Sequence, residues 1–204
     1  MGVDGERYTP GEASGRKGSG VRVLCVARLV RHKGHPTLLR ALAALGRQGL
    51  ELQATVVGDG PERVELERLR DELGLQGRVR FAGPLGQDEL PAVYRDHDVF
   101  CLPTLSEAVG VVNMEAMACG LPVVCSDLMG VPELVEDGIN GLLVTPGREG
   151  QLAGALRRLA EDLALRTRLG EAGRRTVEER FDAAAEAAKL RDGLAELAFS
   201  PAEI

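Results

Sequence analysis

Two acidic residues, Glu107 and Glu115, mark the stretch of the sequence best suited to chemistry. From Val111 to Cys119 the only charged residue is Glu115, which predicts a helix buried on nearly all sides. A lone carboxylate there needs a hydrogen-bond donor, because burying it unpaired is costly or forces it to take up a proton. We expect a protein donor or a ligand hydroxyl. A purely structural role, in which Glu115 caps a neighbouring backbone amide, stays open at this point.

The loop before this helix offers a second set of groups. Glu107 lies eight residues before Glu115, just after an apolar, strand-like run. Gly110 allows close approach to the backbone, and the amides of Val109, Gly110 and Val111 lie where a helix N-terminus stabilises a phosphate or sugar oxygen. Taken alone, Glu107 is better explained as a solvated surface acid, so its interpretation as a ligand-binding residue depends on these neighbours.

Two cations lie in a loop with a similar position between a strand and a helix. Arg28 and Lys33 are five residues apart, and both can converge on one diphosphate to neutralise its charge. As isolated loop residues they are better explained as solvated charges. The turn Gly58-Asp59-Gly60-Pro61 also joins a strand to a helix, with Pro61 placed to begin the helix. It is not a dinucleotide-binding fingerprint, because the third glycine would fall at Arg63.

Composition narrows the class of protein. The chain has 204 residues, 44% of them hydrophobic and 27% charged, which is typical of one soluble globular domain. A net charge of -6 argues against a nucleic-acid partner. No apolar run is long enough to span a bilayer and Met1 to Arg16 has no signal core, so we expect a cytoplasmic protein without membrane association encoded in this part. The spacing of the cysteines and histidines indicates buried reduced thiols and no metal site.

Strand-like runs alternate with amphipathic helical stretches, which predicts an α/β fold: one doubly wound, Rossmann-like domain with a mostly parallel six-stranded sheet. The predicted strands are Val21 to Ala27, Leu52 to Val57, Val79 to Ala82, Val99 to Leu102, Pro122 to Cys125 and Gly141 to Val144. The predicted helices include Pro36 to Leu45, Glu62 to Leu73, Glu149 to Leu163, Arg166 to Arg180 and Ala183 to Leu197. We expect the last three to pack on one side of the sheet or to reach across to a part outside this chain. We divide the chain into a flexible linker (1–20), a Rossmann-like domain (21–181) and a C-terminal helix and tail (182–204). Ligands of such sheets bind at the carboxyl ends of the strands.

Taken together, these motifs resemble the C-terminal domain of retaining GT-B glycosyltransferases of the family-4 group. The resemblance covers nearly all of Val21 to Phe181. It rests on an E-x7-E pair formed by Glu107 and Glu115, an R-x4-K-G motif at Arg28 to Gly34, a G-x-G-P turn at Gly58 to Pro61, the strand Val79 to Gly83, and the segments Pro132 to Val135 and Asn140 to Val144.

The resemblance implies roles for individual residues. Glu115 would bind the ribose hydroxyls and Glu107 the donor sugar, while Arg28 and Lys33 would hold the diphosphate. The amides of Val109, Gly110 and Val111 would face the β-phosphate and sugar, Gly58 would belong to the donor-binding turn, and Leu85 and Gly86 would border the base. The implied reaction needs no metal or other cofactor, retains the anomeric configuration, and uses the leaving phosphate to help deprotonate the acceptor.

Some features depart from the family pattern. Ala108 and Val109 replace a usual Gly and an aromatic residue or Leu, and Met129-Gly130 replaces a usual Gly-Gly. The start, with Tyr8 and Pro10, resembles the end of the family's N-terminal domain. We therefore expect the acceptor-binding domain to lie outside this chain, and the chain alone to bind a nucleotide-sugar without transferring it. A non-catalytic nucleotide-sugar or partner-binding module remains the alternative.

Overall fold

A computed structural model describes residues 2–11, 20–106 and 110–181. Its centre is a six-stranded parallel sheet with the strand order β3-β2-β1-β4-β5-β6. The strands are β1 Arg22–Val26, β2 Gln53–Val57, β3 Val79–Gly83, β4 Val99–Leu102, β5 Val123–Ser126 and β6 Leu142–Val144. The predicted fold class is confirmed, and all six predicted strands are present, each within a residue or so of its predicted ends.

Seven α-helices and one 3-10 turn connect and follow the strands in the described part of the chain. They are the 3-10 turn Arg31–Lys33, α1 His35–Arg47, α2 Arg63–Glu72, α3 Leu90–Arg95, α4 Val111–Ala118, α5 Val131–Leu134, α6 Glu149–Glu161 and α7 Leu163–Arg180. Asp162 separates α6 from α7 and accepts a hydrogen bond from the amide of Leu165 at 2.8 Å, which begins the second helix. The predicted helix Ala183 to Leu197 lies outside the described residues.

The strand order reverses direction between β1 and β4. From β1 the chain moves towards β2 and β3, and from β4 it moves towards β5 and β6. Because crossovers between parallel strands are right-handed, α1 and α2 cover one face of the sheet and α4 covers the other. Helix α6 packs on α1, whereas α7 packs on α4. The expectation that the C-terminal helices share one side is therefore wrong, since α6 and α7 lie on opposite faces.

The core lies between the sheet and these helices, and the segment 2–11 contributes to it. Val3 and Tyr8 are only 4% and 3% exposed. The amide of Val3 donates to the carbonyl of Phe181 at 2.9 Å, so this segment runs beside the end of α7. The domain division stays a prediction, but two side chains from the segment assigned to a linker belong to the core of the domain.

Candidate functional site

The loops that follow β1 and β4 are bonded to each other where the strand order reverses. The carbonyl of His32 accepts hydrogen bonds from the amide of Leu105 at 2.6 Å and from Oγ1 of Thr104 at 2.8 Å. Gly34 has a φ of 71°, and a Cβ added there would lie 1.9 Å from the carbonyl oxygen of Pro103. Only glycine fits this contact, which brings the loop carrying Arg28 and Lys33 against the loop that leads to α4.

The turn after β2 is joined to the same β1 loop by backbone contacts. The amide of Leu29 donates to the carbonyl of Asp59 at 2.9 Å, and the amide of Glu62 donates to the carbonyl of Leu29 at 3.1 Å. A Cβ at Gly58, which has a φ of 132°, would lie 2.0 Å from the carbonyl oxygen of Ala27. The structure thus gives Gly58 a packing function, and its predicted contact with the donor stays a prediction.

The two predicted diphosphate-binding cations occupy the β1 loop in different environments. Arg28 is exposed, and its guanidinium makes no hydrogen bond or ion pair within the described residues. Lys33 ends the 3-10 turn and is half-buried. Burial, and then the charge of Lys33, lower the pKa of the neighbouring His35 to about 4. His35 therefore adds no positive charge at neutral pH, and the basic character of the loop comes from Arg28, Arg31 and Lys33.

Helix α4 follows β4, the strand next to β1, and so begins at the same edge of the sheet as this loop. Gly110 is its N-cap residue with a φ of 76°, and it has no side chain that could cap the helix. Val111 is 40% exposed at the first helical position. The helix N-terminus that the sequence predicts for anion binding is therefore present at the carboxyl edge of the sheet. Glu107 and Val109 lie outside the described residues, so their predicted roles stay predictions.

The second predicted acid has a protein donor. Glu115 is 6% exposed, and its Oε2 accepts a hydrogen bond at 2.8 Å from the hydroxyl of Tyr94, a fully buried residue of α3. Burial, and then the charge of Glu115, raise the pKa of Tyr94 well above its usual value, so the hydroxyl keeps its proton and donates. The same two causes raise the pKa of Tyr8, whose ring contacts the ring of Tyr94 with the centroids 5.9 Å apart. Within the described residues, the donor to Glu115 is therefore a tyrosine hydroxyl and not a backbone amide.

The loop predicted to border the base follows β3. Leu85 is partly buried and packs against the core, whereas Gly86 is exposed. The amide of Gly86 already donates to the carboxylate of Glu89 at 2.8 Å. The loop is thereby held in a defined turn, in which Leu85 rather than the Gly86 amide is available for contact with a ligand.

A cavity of about 1320 Å³ opens at the opposite, amino-terminal edge of the sheet. Its lining includes Arg22, Gln53 and Pro122 at or before strand starts, together with Cys119 and Arg175. None of the predicted site residues lines it. Ligands of doubly wound sheets bind at the carboxyl edge, so we place the candidate site there and not in this cavity.

The described residues contain neither a membrane-spanning helix nor a cluster of metal ligands. No helix among them combines the length and the apolar character that crossing a bilayer requires. No group of three or more His, Cys, Asp or Glu side chains in the same residues is arranged to hold a metal ion. The four cysteines are free and buried.

Tyr94 and Tyr8 were not predicted from the sequence as residues of the site. Tyr94 lies on a six-residue helix that is too short to show a periodic pattern, and Tyr8 lies in the segment assigned to a linker. One signal was available: a buried carboxylate needs donors, and the chain contains only two tyrosines and no tryptophan. The sequence placed Arg174 in a predicted helix but did not predict that it donates hydrogen bonds to the backbone of two other segments.

The strand order, the reversal between β1 and β4 and the loops gathered there define a Rossmann-like domain of the kind that forms half of a GT-B fold. The family model of the glycosyl transferases group 1 matches residues 12–176, and the chain belongs to this family.

A curated relative and two solved structures show how far the similarity extends. The chain is 34% identical over 207 aligned positions to the GDP-mannose-dependent alpha-(1-6)-phosphatidylinositol monomannoside mannosyltransferase of Mycobacterium tuberculosis, with 95% of this chain and 54% of that protein covered. It matches the whole C-terminal domain of the Francisella tularensis group 1 glycosyl transferase LpcC, with 89% of this chain covered, a TM-score of 0.79 and 26% identity. Anabaena HepE in complex with UDP and glucose matches with a TM-score of 0.84 and 29% identity, over 95% of this chain and 55% of that one.

The chain spans about half the length of the curated relatives it matches, from 39% to 54% of theirs. The match to a separate C-terminal domain over its full length agrees with this proportion.

Proposed function

We propose that this chain is the donor-binding domain of a retaining glycosyltransferase, which transfers a hexosyl group from a nucleoside diphosphate sugar to an acceptor. The observation that carries the proposal is the placement of three groups at one edge of the sheet, where the strand order reverses: the basic β1 loop, the start of α4 and the tyrosine-bonded Glu115 on that helix. Two similar proteins support it, since one is GDP-mannose-dependent and the other was solved with UDP and glucose.

Each group has a distinct role in the proposed site. Arg28 and Lys33 bind the diphosphate, and the N-terminus of α4 at Gly110 and Val111 faces the β-phosphate and sugar. Glu115 binds the ribose hydroxyls. Because Tyr94 occupies its Oε2, the carboxylate is held in one orientation and has remaining acceptor capacity for a ligand. Glu107 contacts the sugar, the amide of Val109 assists at the phosphate, and Leu85 and Gly86 border the base.

In the proposed reaction the bond between the anomeric carbon and the β-phosphate oxygen breaks, and the acceptor oxygen bonds to the same face of that carbon. The acceptor's proton passes to the leaving phosphate. Arg28 and Lys33 stabilise the negative charge that develops on this phosphate, which makes the metal-independent reaction possible. The acceptor is held by a separate domain, and we propose that this chain alone binds the donor without transferring its sugar.

We propose a cytoplasmic site of action, where thiols stay reduced, in agreement with four free buried cysteines.

Calorimetric titration of the chain with UDP, GDP and ADP tests the proposal. We expect at least one to bind below millimolar Kd, and Glu115→Gln to weaken that binding by about 1 to 3 kcal/mol, as for a charged hydrogen bond. Glu179→Gln, an exposed acid on α7, is the matched control and should bind like the parent. Absence of binding by all three nucleotides at millimolar concentration would refute a donor site.

A second experiment separates a transferase from a binding module. A protein with an acceptor domain joined upstream of this chain is incubated with the nucleotide-sugar that binds most tightly, with and without EDTA. Sugar release or transfer with a retained anomeric configuration, seen by NMR and unaffected by EDTA, is expected. Tight donor binding with no turnover would favour the non-catalytic module.

A further inference from the structure

Residues 2–11, here called the amino-terminal strap, contact the loop at residues 84–89, here called the base loop. Nη2 of Arg7 forms an ion pair with Oδ1 of Asp88 at 2.8 Å. The hydroxyl of Tyr8 lies 3.5 Å from Oε1 of Gln87, as the donor of a long hydrogen bond. Two consecutive strap residues therefore face two consecutive residues of the base loop, although they are about 80 positions apart in the chain.

The strap is anchored on its other side by one arginine of α7. Nη1 of Arg174 donates to the carbonyl of Tyr8 at 2.6 Å and to the carbonyl of Ala118 at 2.5 Å, and its Nη2 donates to the carbonyl of Gly5 at 3.4 Å. Ala118 is the last residue of α4, the helix that carries Glu115. Arg174 therefore fixes the backbone of Tyr8 to the same helix as the proposed ribose-binding acid.

The side chain of Tyr8 contacts both the base loop and α3. It is 3% exposed, and its ring meets the ring of Tyr94 edge to face with the centroids 5.9 Å apart. Burial and the nearby Glu115 charge keep its hydroxyl protonated. The Tyr8 hydroxyl therefore contacts Gln87 of the base loop, while its ring contacts Tyr94, whose own hydroxyl donates to the carboxylate of Glu115.

We infer that Tyr8 is a positioning residue for donor recognition, which holds the base loop and the ribose-binding carboxylate in a fixed relation to each other. This inference rests on the proposed function. Its physical basis is preorganisation: a carboxylate oriented by Tyr94, whose ring is held in place by Tyr8, needs less ordering when it accepts hydrogen bonds from ribose hydroxyls. The strap is thereby part of the donor site, although it lies far from the site motifs in the sequence.

Tyr8→Phe tests the inference, because it removes the hydroxyl and keeps the ring that packs on Tyr94. Calorimetry gives the Kd of the chain for the tightest-binding nucleoside diphosphate and for its 2′,3′-dideoxy form, which lacks the hydroxyls that Glu115 binds. The Kd of the dideoxy form divided by the Kd of the normal nucleotide is the ratio that measures how much the ribose hydroxyls contribute to binding. We expect Tyr8→Phe to reduce this ratio about 5- to 10-fold while the Kd of the dideoxy form stays within about twofold of the parent's.

Thr9→Ala is the matched control, because it removes a hydroxyl from the next strap residue, which accepts a long hydrogen bond of 3.5 Å from Arg95 and makes no hydrogen bond with the base loop within the described residues. It should keep the parent ratio. If Tyr8→Phe is poorly folded by circular dichroism, Arg174→Gln replaces it, since this change frees the strap backbone and retains the Tyr8 hydroxyl. It is expected to reduce the ratio in the same way.

The outcomes separate the inference from the proposed function. Nucleotide binding by the parent with an unchanged ratio in Tyr8→Phe overturns the role of Tyr8 and leaves the donor site intact. An equal loss of affinity for the ribo and dideoxy forms also overturns it, because that result indicates general loosening of the site. No nucleotide binding by the parent overturns both.

Discussion

The hydroxyl of Tyr94 and Oε2 of Glu115 form a hydrogen bond of 2.8 Å between two side chains that are 0% and 6% exposed. The bond joins α3, at the end of the base loop, to α4, at the edge of the proposed phosphate site. A contact of this kind contributes to the stability of the domain and also sets the direction of the carboxylate.

Tyr94→Phe should show how much this bond stabilises the domain. The change leaves a buried carboxylate oxygen without its donor, so the free energy of unfolding is expected to fall by about 1 to 3 kcal/mol. Urea denaturation of Tyr94→Phe, Glu115→Gln and the double variant measures the coupling between the two side chains. Additive effects of the two changes would contradict the contact.

Gly34→Ala should destabilise the domain far more than Gly74→Ala. The two glycines have nearly equal φ values, 71° and 67°, but a Cβ meets the Pro103 carbonyl at Gly34 and open space at Gly74. The backbone strain in the two alanine variants is therefore similar, about 1 to 2 kcal/mol in each. The additional loss of unfolding free energy in Gly34→Ala measures the contact between the β1 and β4 loops. Thermal and urea unfolding of both variants provide the measurement. Equal losses would show that the loops separate easily.

His35 should make the stability of the domain depend on pH. Its ring is 1% exposed, neither ring nitrogen has a hydrogen-bond partner within the described residues, and burial with Lys33 nearby lowers its pKa to about 4. An unfolded histidine takes up a proton near pH 6.5, so between pH 6.5 and 4 the unfolded chain binds more protons. Stability from this residue is therefore complete above pH 6.5 and lost as the pH falls, by about 3 kcal/mol at pH 4.

Urea denaturation of the parent and His35→Leu at several pH values checks this expectation. Burial also lowers the pKa of His97, so both proteins are compared in a His97→Gln background. The stability difference between them should shift in favour of His35→Leu as the pH falls. A difference that is independent of pH would show that His35 is not buried as a neutral ring.

The four cysteines should be nearly inert in the folded protein. Burial raises the pKa of Cys25, Cys119 and Cys125 to about 12 and raises that of Cys101 well above its usual value, so none is a thiolate at neutral pH. Cys119 is the most exposed at 5% and lines the amino-terminal cavity, so it should react first with a thiol reagent. Mass spectrometry of the labelled protein identifies the site, with Cys119→Ser as control. Rapid labelling of Cys25 or Cys101 without unfolding would contradict this packing.

The sheet could be predicted because strands buried on both faces read as apolar runs, and because long helices such as α1 repeat their apolar residues over several turns. The helices α3 and α5, of six and four residues, are too short for such a pattern. The opposite placement of α6 and α7 depends on tertiary packing, which no local pattern encodes. In the site, the need of Glu115 for a donor was predictable, but the identity of Tyr94 as that donor was not.

The strap shows the same limit for a segment without regular structure. Val3 and Tyr8 are two apolar anchors among glycines and charged residues, a composition typical of a linker. Their burial follows from contacts with Phe181, Arg174 and Tyr94, which are all distant in the sequence.

Contacts made by three glycines in the loops after β1 and β2 decide which positions of the proposed donor site tolerate substitution. Gly34, Gly58 and Gly60 each lie against a backbone carbonyl that no side chain can move aside, so substitutions there separate the loops whatever residue is chosen. The base loop instead presents exposed side chains such as Gln87 and Asp88. An engineer who wishes to change the nucleotide preference of this scaffold therefore has more room in the base loop, provided that its contacts with Arg7, Tyr8 and Glu89 are replaced, and should leave the three glycines untouched.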